Sequence, residues 1–196
     1  MSKKKNSKVL KGLIRIGIFS ALWIVVAFLV AFTIGFFAPI MVVMPCILGV
    51  IGGIIYMVMF SKLEIKGGIV ISSVLLGVCL FTMAPYGMMF FCTLAGGIIG
   101  EILMAVIGKD KFVGKAVGSS MALLGLALGE YIPVICMREA YTALYADETF
   151  GSGPVLEKVM NAVNGPIAIL LLIVTVLCTF LGCFIGNKIV KKHFEK

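Results

Sequence analysis

An uncharged apolar run from Ile16 to Phe37 constrains this chain more than any other feature. At a rise of about 1.5 Å per residue, about 20 apolar residues cross a membrane hydrocarbon layer roughly 30 Å thick. Six cations precede the run: Lys3, Lys4, Lys5, Lys8, Lys11 and Arg15. Because Lys and Arg concentrate on the cytoplasmic side, the run predicts a spanning helix at about 12–36 with a cytoplasmic amino end.

A cleaved signal peptide also begins with cations and an apolar run. Its apolar part is shorter than this one, and residues 38–41 lead straight into more apolar sequence. The segment is therefore predicted to remain as the first helix of the protein.

The rest of the chain has the same apolar character. It is 61% hydrophobic and 13% charged, with a mean hydropathy of +1.17, which a soluble domain of this size does not sustain. Further spans are predicted at about 41–60, 67–82, 87–107, 115–137 and 166–190. The expected fold is a single all-α domain over 1–196, a polytopic membrane protein with six transmembrane helices.

The distribution of cations sets the expected orientation. With the amino terminus inside, 15 of the 17 Lys and Arg residues fall in cytoplasmic segments, and only Arg138 and Lys158 fall outside. Both termini are therefore predicted to be cytoplasmic, in a bacterial plasma membrane. This bias also accounts for the net charge of +8 without a nucleic-acid partner.

The polar segment 138–165 is predicted to be extracellular. Within it, 154–163 has the pattern of a short amphipathic helix, with Val155, Val159 and Val163 on one stripe. Because that stripe needs cover, the segment is expected to lie on the outer mouth of the bundle as a lid.

Sequence patterns for catalysis and for metal binding are missing. The chain contains no GxxxxGK[ST], HExxH or GxSxG pattern, and its six cysteines include no CxxC pair. We therefore expect no ATP hydrolysis, no catalytic residues, no metal and no cofactor.

Two acids lie inside predicted spans, Glu101 and Glu130. An acid within the membrane is energetically costly, so it normally faces the bundle interior and has a partner. Glu130 lies near the outer end of its helix, beside Tyr131 and before Pro133, which frees a backbone carbonyl. We expect Glu130 to bind a small ligand that enters from outside; the alternative is a protonated acid satisfied by a neighbouring helix. Glu101 lies toward the cytoplasm, where an inter-helix hydrogen bond or a conformational role is favoured over substrate contact.

Further residues are expected to line an outer pocket with Glu130 and Tyr131. They come from the turns and loops on that side: Phe37, Pro39, Met83, Tyr86, Asn161 and Asn164.

Small residues four apart let helices approach closely in a membrane. Ala27 and Ala31 form such a pair in the first helix and are candidates for docking onto a partner, although they could also pack internally. The glycine pairs of the later helices are expected to be used inside the bundle.

Taken together, the length, six-helix topology, missing ATPase and AxxxA sequence resemble the substrate-binding S component of energy-coupling factor (ECF) transporters. The segments 36–40 and 129–133 resemble the Trep-Strep family in particular. The resemblance implies capture of a small micronutrient, such as a vitamin, a nucleobase-like compound or a related heterocycle, at the extracellular face. It also implies docking through helix 1, at Ala27 and Ala31, onto a transmembrane coupling subunit that carries two cytoplasmic ATPases.

Two other function classes stay open on the sequence. A self-sufficient secondary transporter or channel would use Glu101 and Glu130 as a proton relay and would work without ATP. A membrane enzyme or immunity-type protein would form a product when purified alone.

Overall fold

The structure, a computed structural model, describes residues 2–34, 37–63, 65–145 and 152–193. Its regular elements in this part of the chain are helices, which confirms the predicted all-α class. They are α1 (Ser2–Ile34), α2 (Ala38–Lys62), α3 (Gly68–Cys79), α4 (Met88–Ile107), α5 (Phe112–Cys136), α6 (Arg138–Tyr145), α7 (Ser152–Ala162) and α8 (Gly165–His193). A 3₁₀ turn, Pro85–Gly87, precedes α4.

Five helical segments in the described part are long and apolar enough to cross a membrane. They are Ser7–Thr33, Ile40–Lys62, Pro85–Ile107, Phe112–Cys136 and Gly165–His193. The remaining apolar helix, α3, has 12 residues and is about 18 Å long. The predicted third span at 67–82 therefore ends early, and Tyr86 and Gly87 then adopt positive φ angles of 54° and 67°, which a right-handed helix does not tolerate.

Helices α2 and α8 run in the same direction. Gly49 of α2 lies against the Thr175 carbonyl, and four residues further along both helices Gly53 lies against the Thr179 carbonyl. The amino end of α1 and the carboxyl end of α8 therefore lie at one end of the bundle, because α1 and α2 are antiparallel. We call it the terminal end, and the opposite end, which carries α6 and α7, the lid end.

Glycines hold α4 and α5 at backbone contact. A Cβ added to Gly125 would lie 2.8 Å from the Gly96 Cα and would also meet the Cys92 carbonyl oxygen. A Cβ on Gly118 would lie 2.9 Å from the carbonyl oxygen of Gly100. The prediction that these glycines are used inside the bundle is confirmed, because no side chain fits between the two helices.

Helix α1 lies at the edge of the bundle and packs on α2 and α3. Arg15 donates a 2.7 Å hydrogen bond to the Lys62 carbonyl at the terminal end, and the rings of Trp23 and Tyr56 lie 6.4 Å apart further along. The opposite face of α1 is apolar and exposed, as expected of a helix in contact with lipid.

Candidate ligand-binding site

The lid helices α6 and α7 pack over the end of the bundle where α2 begins and α5 ends. Val159 and Val163 of the predicted stripe are 3% and 0% exposed, whereas the side chain of Val155 lies outside the described residues. Residues 146–151 of the predicted lid segment also lie outside them. These two valines are thus covered by the bundle, and α7 in turn covers the bundle.

Two polar contacts fix the position of α6. The Arg138 guanidinium donates to the Met160 carbonyl at 2.7 Å and ties α6 to α7. The Tyr145 hydroxyl donates to the Met83 carbonyl at 3.0 Å and ties α6 to the turn before α4. Met83, predicted to line a pocket, contributes this backbone oxygen.

Glu130 lies beneath the lid, in the last two turns of α5. It is 7% exposed, and no hydrogen bond or ion pair within the described residues involves its carboxyl group. Tyr131 follows it directly in α5, and Tyr141 of α6 packs in the same buried cluster as Tyr131 and Val134. A buried acid without a partner is unfavourable, so this group is a candidate for contact with a ligand.

Tyr131 has a structural role in addition to the ligand contact predicted for it. Its ring is 2% exposed and its hydroxyl donates to the Val42 carbonyl at 2.7 Å. That bond crosses from α5 to α2, so it fixes the helix that carries Glu130. Tyr131 thereby orients the candidate site rather than offering a free hydroxyl to it.

Tyr141 was not predicted as a site residue, yet it is buried in the same cluster as Tyr131 and Val134, the residues of α5 one and four positions after Glu130. Its ring meets that of Tyr145 edge to face, with centroids 5.4 Å apart. Burial raises the pKa of the Tyr141 phenol, and Tyr145 and Glu130 add to the rise, so the hydroxyl stays neutral. The sequence signal that could have identified Tyr141 and Tyr145 is their spacing of four residues in a short amphipathic helix.

The other predicted pocket residues do not join this group. Tyr86 and Phe37 are 77% and 62% exposed, and Asn161 is exposed as well. Asn164 caps α8, where its Oδ1 accepts a 3.0 Å hydrogen bond from the Ile167 N–H. The side chain of Pro39 lies outside the described residues.

Glu101 is a helix cap at the terminal end. Its two carboxylate oxygens accept hydrogen bonds from the backbone N–H groups of Gly67, at 2.8 Å, and Ile69, at 3.1 Å. The carboxylate therefore satisfies orphan donors at the start of α3 and faces the positive end of its dipole. This is an inter-helix hydrogen bond of the kind favoured for Glu101 on the sequence.

The two acids lie far apart along the bundle. A Cβ on Gly129 would be 2.8 Å from the Met89 Cα, so Glu130 lies level with Met89. Glu101 is twelve residues further along α4, a distance of about 18 Å. Nothing in this arrangement brings the two carboxylates together.

The two alanines of α1 differ in exposure. Ala27 is 7% exposed and packs in the same apolar cluster as Trp23, whereas Ala31 is half-buried. Their role in docking stays a prediction, and Ala31 is the one of the pair that a partner could reach in this conformation.

The fold and its covered acid define a class: a multi-pass helical membrane protein with a polar site under two short helices. Within that class the chain belongs to the Trep_Strep family, described as hypothetical bacterial integral membrane proteins, whose family model matches residues 10–196. The resemblance to this family is thereby confirmed. Comparisons with curated proteins and with solved structures gave no match.

Proposed function

We propose that this protein is the substrate-binding S component of an ECF-type importer. It captures a small micronutrient at the lid end, and a transmembrane coupling subunit with two ATPases supplies the energy for uptake. One observation carries the proposal: Glu130 is 7% exposed, its carboxyl group has no hydrogen-bond or ion-pair partner within the described residues, and it lies beneath two lid helices. A receptor that encloses its ligand needs such a combination of cover and unused polar groups.

The orientation belongs to this proposal. Of the 17 Lys and Arg residues, 14 lie at the terminal end within the described part of the chain, which favours a cytoplasmic position for this end. The lid end then faces the outside, where a receptor meets its ligand.

The positions of Glu101 and Glu130 support the proposal that uptake needs a partner subunit. A proton relay requires titratable groups within hydrogen-bonding reach, directly or through water. Glu101 and Glu130 lie about 18 Å apart along the bundle, and Glu101 already accepts two backbone N–H groups. This separation counts against the self-sufficient secondary transporter and supports an external source of energy.

Docking of the coupling subunit is proposed along α1, which has the smallest buried share of the five long helices. Ala31 is half-buried on it and leaves room for a second helix to approach. Replacing Ala31 with Val should weaken co-purification with the coupling subunit and leave thermal stability unchanged. Replacing the buried Ala27 with Val should lower thermal stability instead, because its side chain already packs within the bundle.

Mass spectrometry of small molecules that co-purify with the protein tests the receptor role. The wild-type protein should retain a compound that is lost from Glu130→Ala and kept in Glu157→Ala, a matched change of an exposed acid on α7. In liposomes the protein alone should bind this compound without accumulating it. Accumulation driven by a pH gradient, or formation of a product, would replace the proposal with the transporter or the enzyme.

A further inference from the structure

The surroundings of Glu130 restrict the chemistry of the ligand. A carboxyl group needs a donor when it is ionised and an acceptor for its proton when it is neutral. Within the described residues it has neither, although the side chain is nine-tenths buried. The missing group is therefore expected from the ligand.

Two of the phenols at the site already donate their hydroxyl hydrogens to backbone carbonyls, so neither can donate to an ionised Glu130 without breaking that bond. The Tyr131 hydroxyl is held at 2.7 Å by the Val42 carbonyl, and the Tyr145 hydroxyl is held at 3.0 Å by the Met83 carbonyl. Each of these bonds fixes one helix of the site, so each hydroxyl is already committed to the fold.

Protein cations are also scarce at the lid end. Of the 17 Lys and Arg residues, only Arg138 and Lys158 belong to the segment 138–165 that contains the lid helices. Both are exposed, and the Arg138 guanidinium binds the Met160 carbonyl. An anionic ligand would therefore meet the Glu130 carboxylate with no buried cation to offset the repulsion.

The aromatic rings favour the same kind of ligand as the acid. Tyr141 and Tyr145 pack edge to face at 5.4 Å, and Tyr141 is 4% exposed in the same buried cluster as Tyr131 and Val134, the residues of α5 one and four positions after Glu130. The face of a tyrosine attracts a cation, and a flat ring gains dispersion energy from it. An acid in the same region as buried tyrosine rings suits a cation with a flat apolar body.

We propose, on the basis of the receptor function above, that the ligand is a flat compound with a cationic nitrogen or N–H donor that pairs with Glu130 and packs on Tyr141. Carboxylates and phosphates are disfavoured at an ionised Glu130, because no buried protein cation offsets the repulsion. The assignment also makes Tyr141 a specificity-determining residue.

Three probes of similar shape and different charge test this claim: benzamidine, benzamide and benzoate. Their binding is measured on the purified full chain by the rise in unfolding temperature as the probe concentration increases. Benzamidine should bind at least about tenfold more tightly than benzoate, since a buried charge pair is favoured over two like charges. Glu130→Gln should remove most of that preference, and its own unfolding temperature without probe shows that it is folded.

A second pair of variants separates the ring from the acid. Tyr141→Leu should weaken benzamidine binding, whereas Tyr86→Leu, at a tyrosine of the same end that is 77% exposed, should leave it unchanged. Tyr141→Phe keeps the ring face and should retain most of the binding.

Preference for benzoate, an equal response to all three probes, or no response to any of them would overturn the inference. The proposed function fails by a different result. A co-purifying compound that lacks a basic nitrogen and an N–H group would overturn the inference and leave the receptor role standing. Accumulation by the lone protein would overturn the receptor role itself.

Discussion

Replacement of Glu101 is the sharpest test of whether this acid caps a helix or acts in a proton relay with Glu130. Glu101→Ala removes both acceptors at the start of α3 and leaves the Gly67 and Ile69 N–H groups without their partner. A hydrogen bond to a charged group contributes about 1.5–3 kcal/mol. Glu101 is half-buried, so water can hydrogen-bond to part of the exposed N–H groups in the variant. We therefore expect the free energy of unfolding to fall by about 2 kcal/mol.

For a chain of this size such a loss lowers the unfolding temperature by about 4–8 °C. Glu101→Gln keeps one acceptor oxygen and should lose about half as much. Unfolding can be followed by the fluorescence of Trp23, the one tryptophan of the chain, which lies where α1 packs on the bundle. Asp110→Ala, a change of an exposed acid at the same end, is the control and should shift stability by less than about 0.5 kcal/mol.

Equal stability of Glu101→Ala and Asp110→Ala would refute the capping account. So would a stable Glu101→Gln protein that has lost proton-driven uptake, because a relay acid needs a titratable carboxyl and a cap does not.

Three further changes test the packing and the site. Gly125→Ala should lower the free energy of unfolding by about 1–3 kcal/mol, because its Cβ would meet the backbone of α4. Gly17→Ala, with open space around it, should be neutral or slightly stabilising. Equal effects of the two changes on thermal unfolding would contradict the close approach of α4 and α5. Asn164→Ala should cost about 1 kcal/mol by loss of the α8 cap and leave ligand retention intact, and lost retention would instead make Asn164 a contact. Tyr131→Phe removes the hydroxyl that donates to the Val42 carbonyl, so it should lower stability by about 0.5–1.5 kcal/mol and weaken retention of the ligand only indirectly; retention abolished at unchanged stability would mean direct contact.

Hydropathy and charge by themselves determined the class of this protein and the order of its helices. The lipid core imposes a length of about 20 apolar residues and hydrogen-bonded helical backbone, so spans can be located without knowledge of their neighbours. The short α3 was the exception, because the helix already ends at Cys79, in turns that hydropathy does not register.

The roles of single polar residues were decided by the tertiary structure. Glu101 and Glu130 look alike in sequence, yet one caps α3 and the other is buried without a partner. Asn164 was predicted to line a pocket and instead caps α8, and Ala27 faces the bundle. A hydrogen bond depends on which distant backbone group lies within about 3 Å, and only the packing of the helices sets that distance.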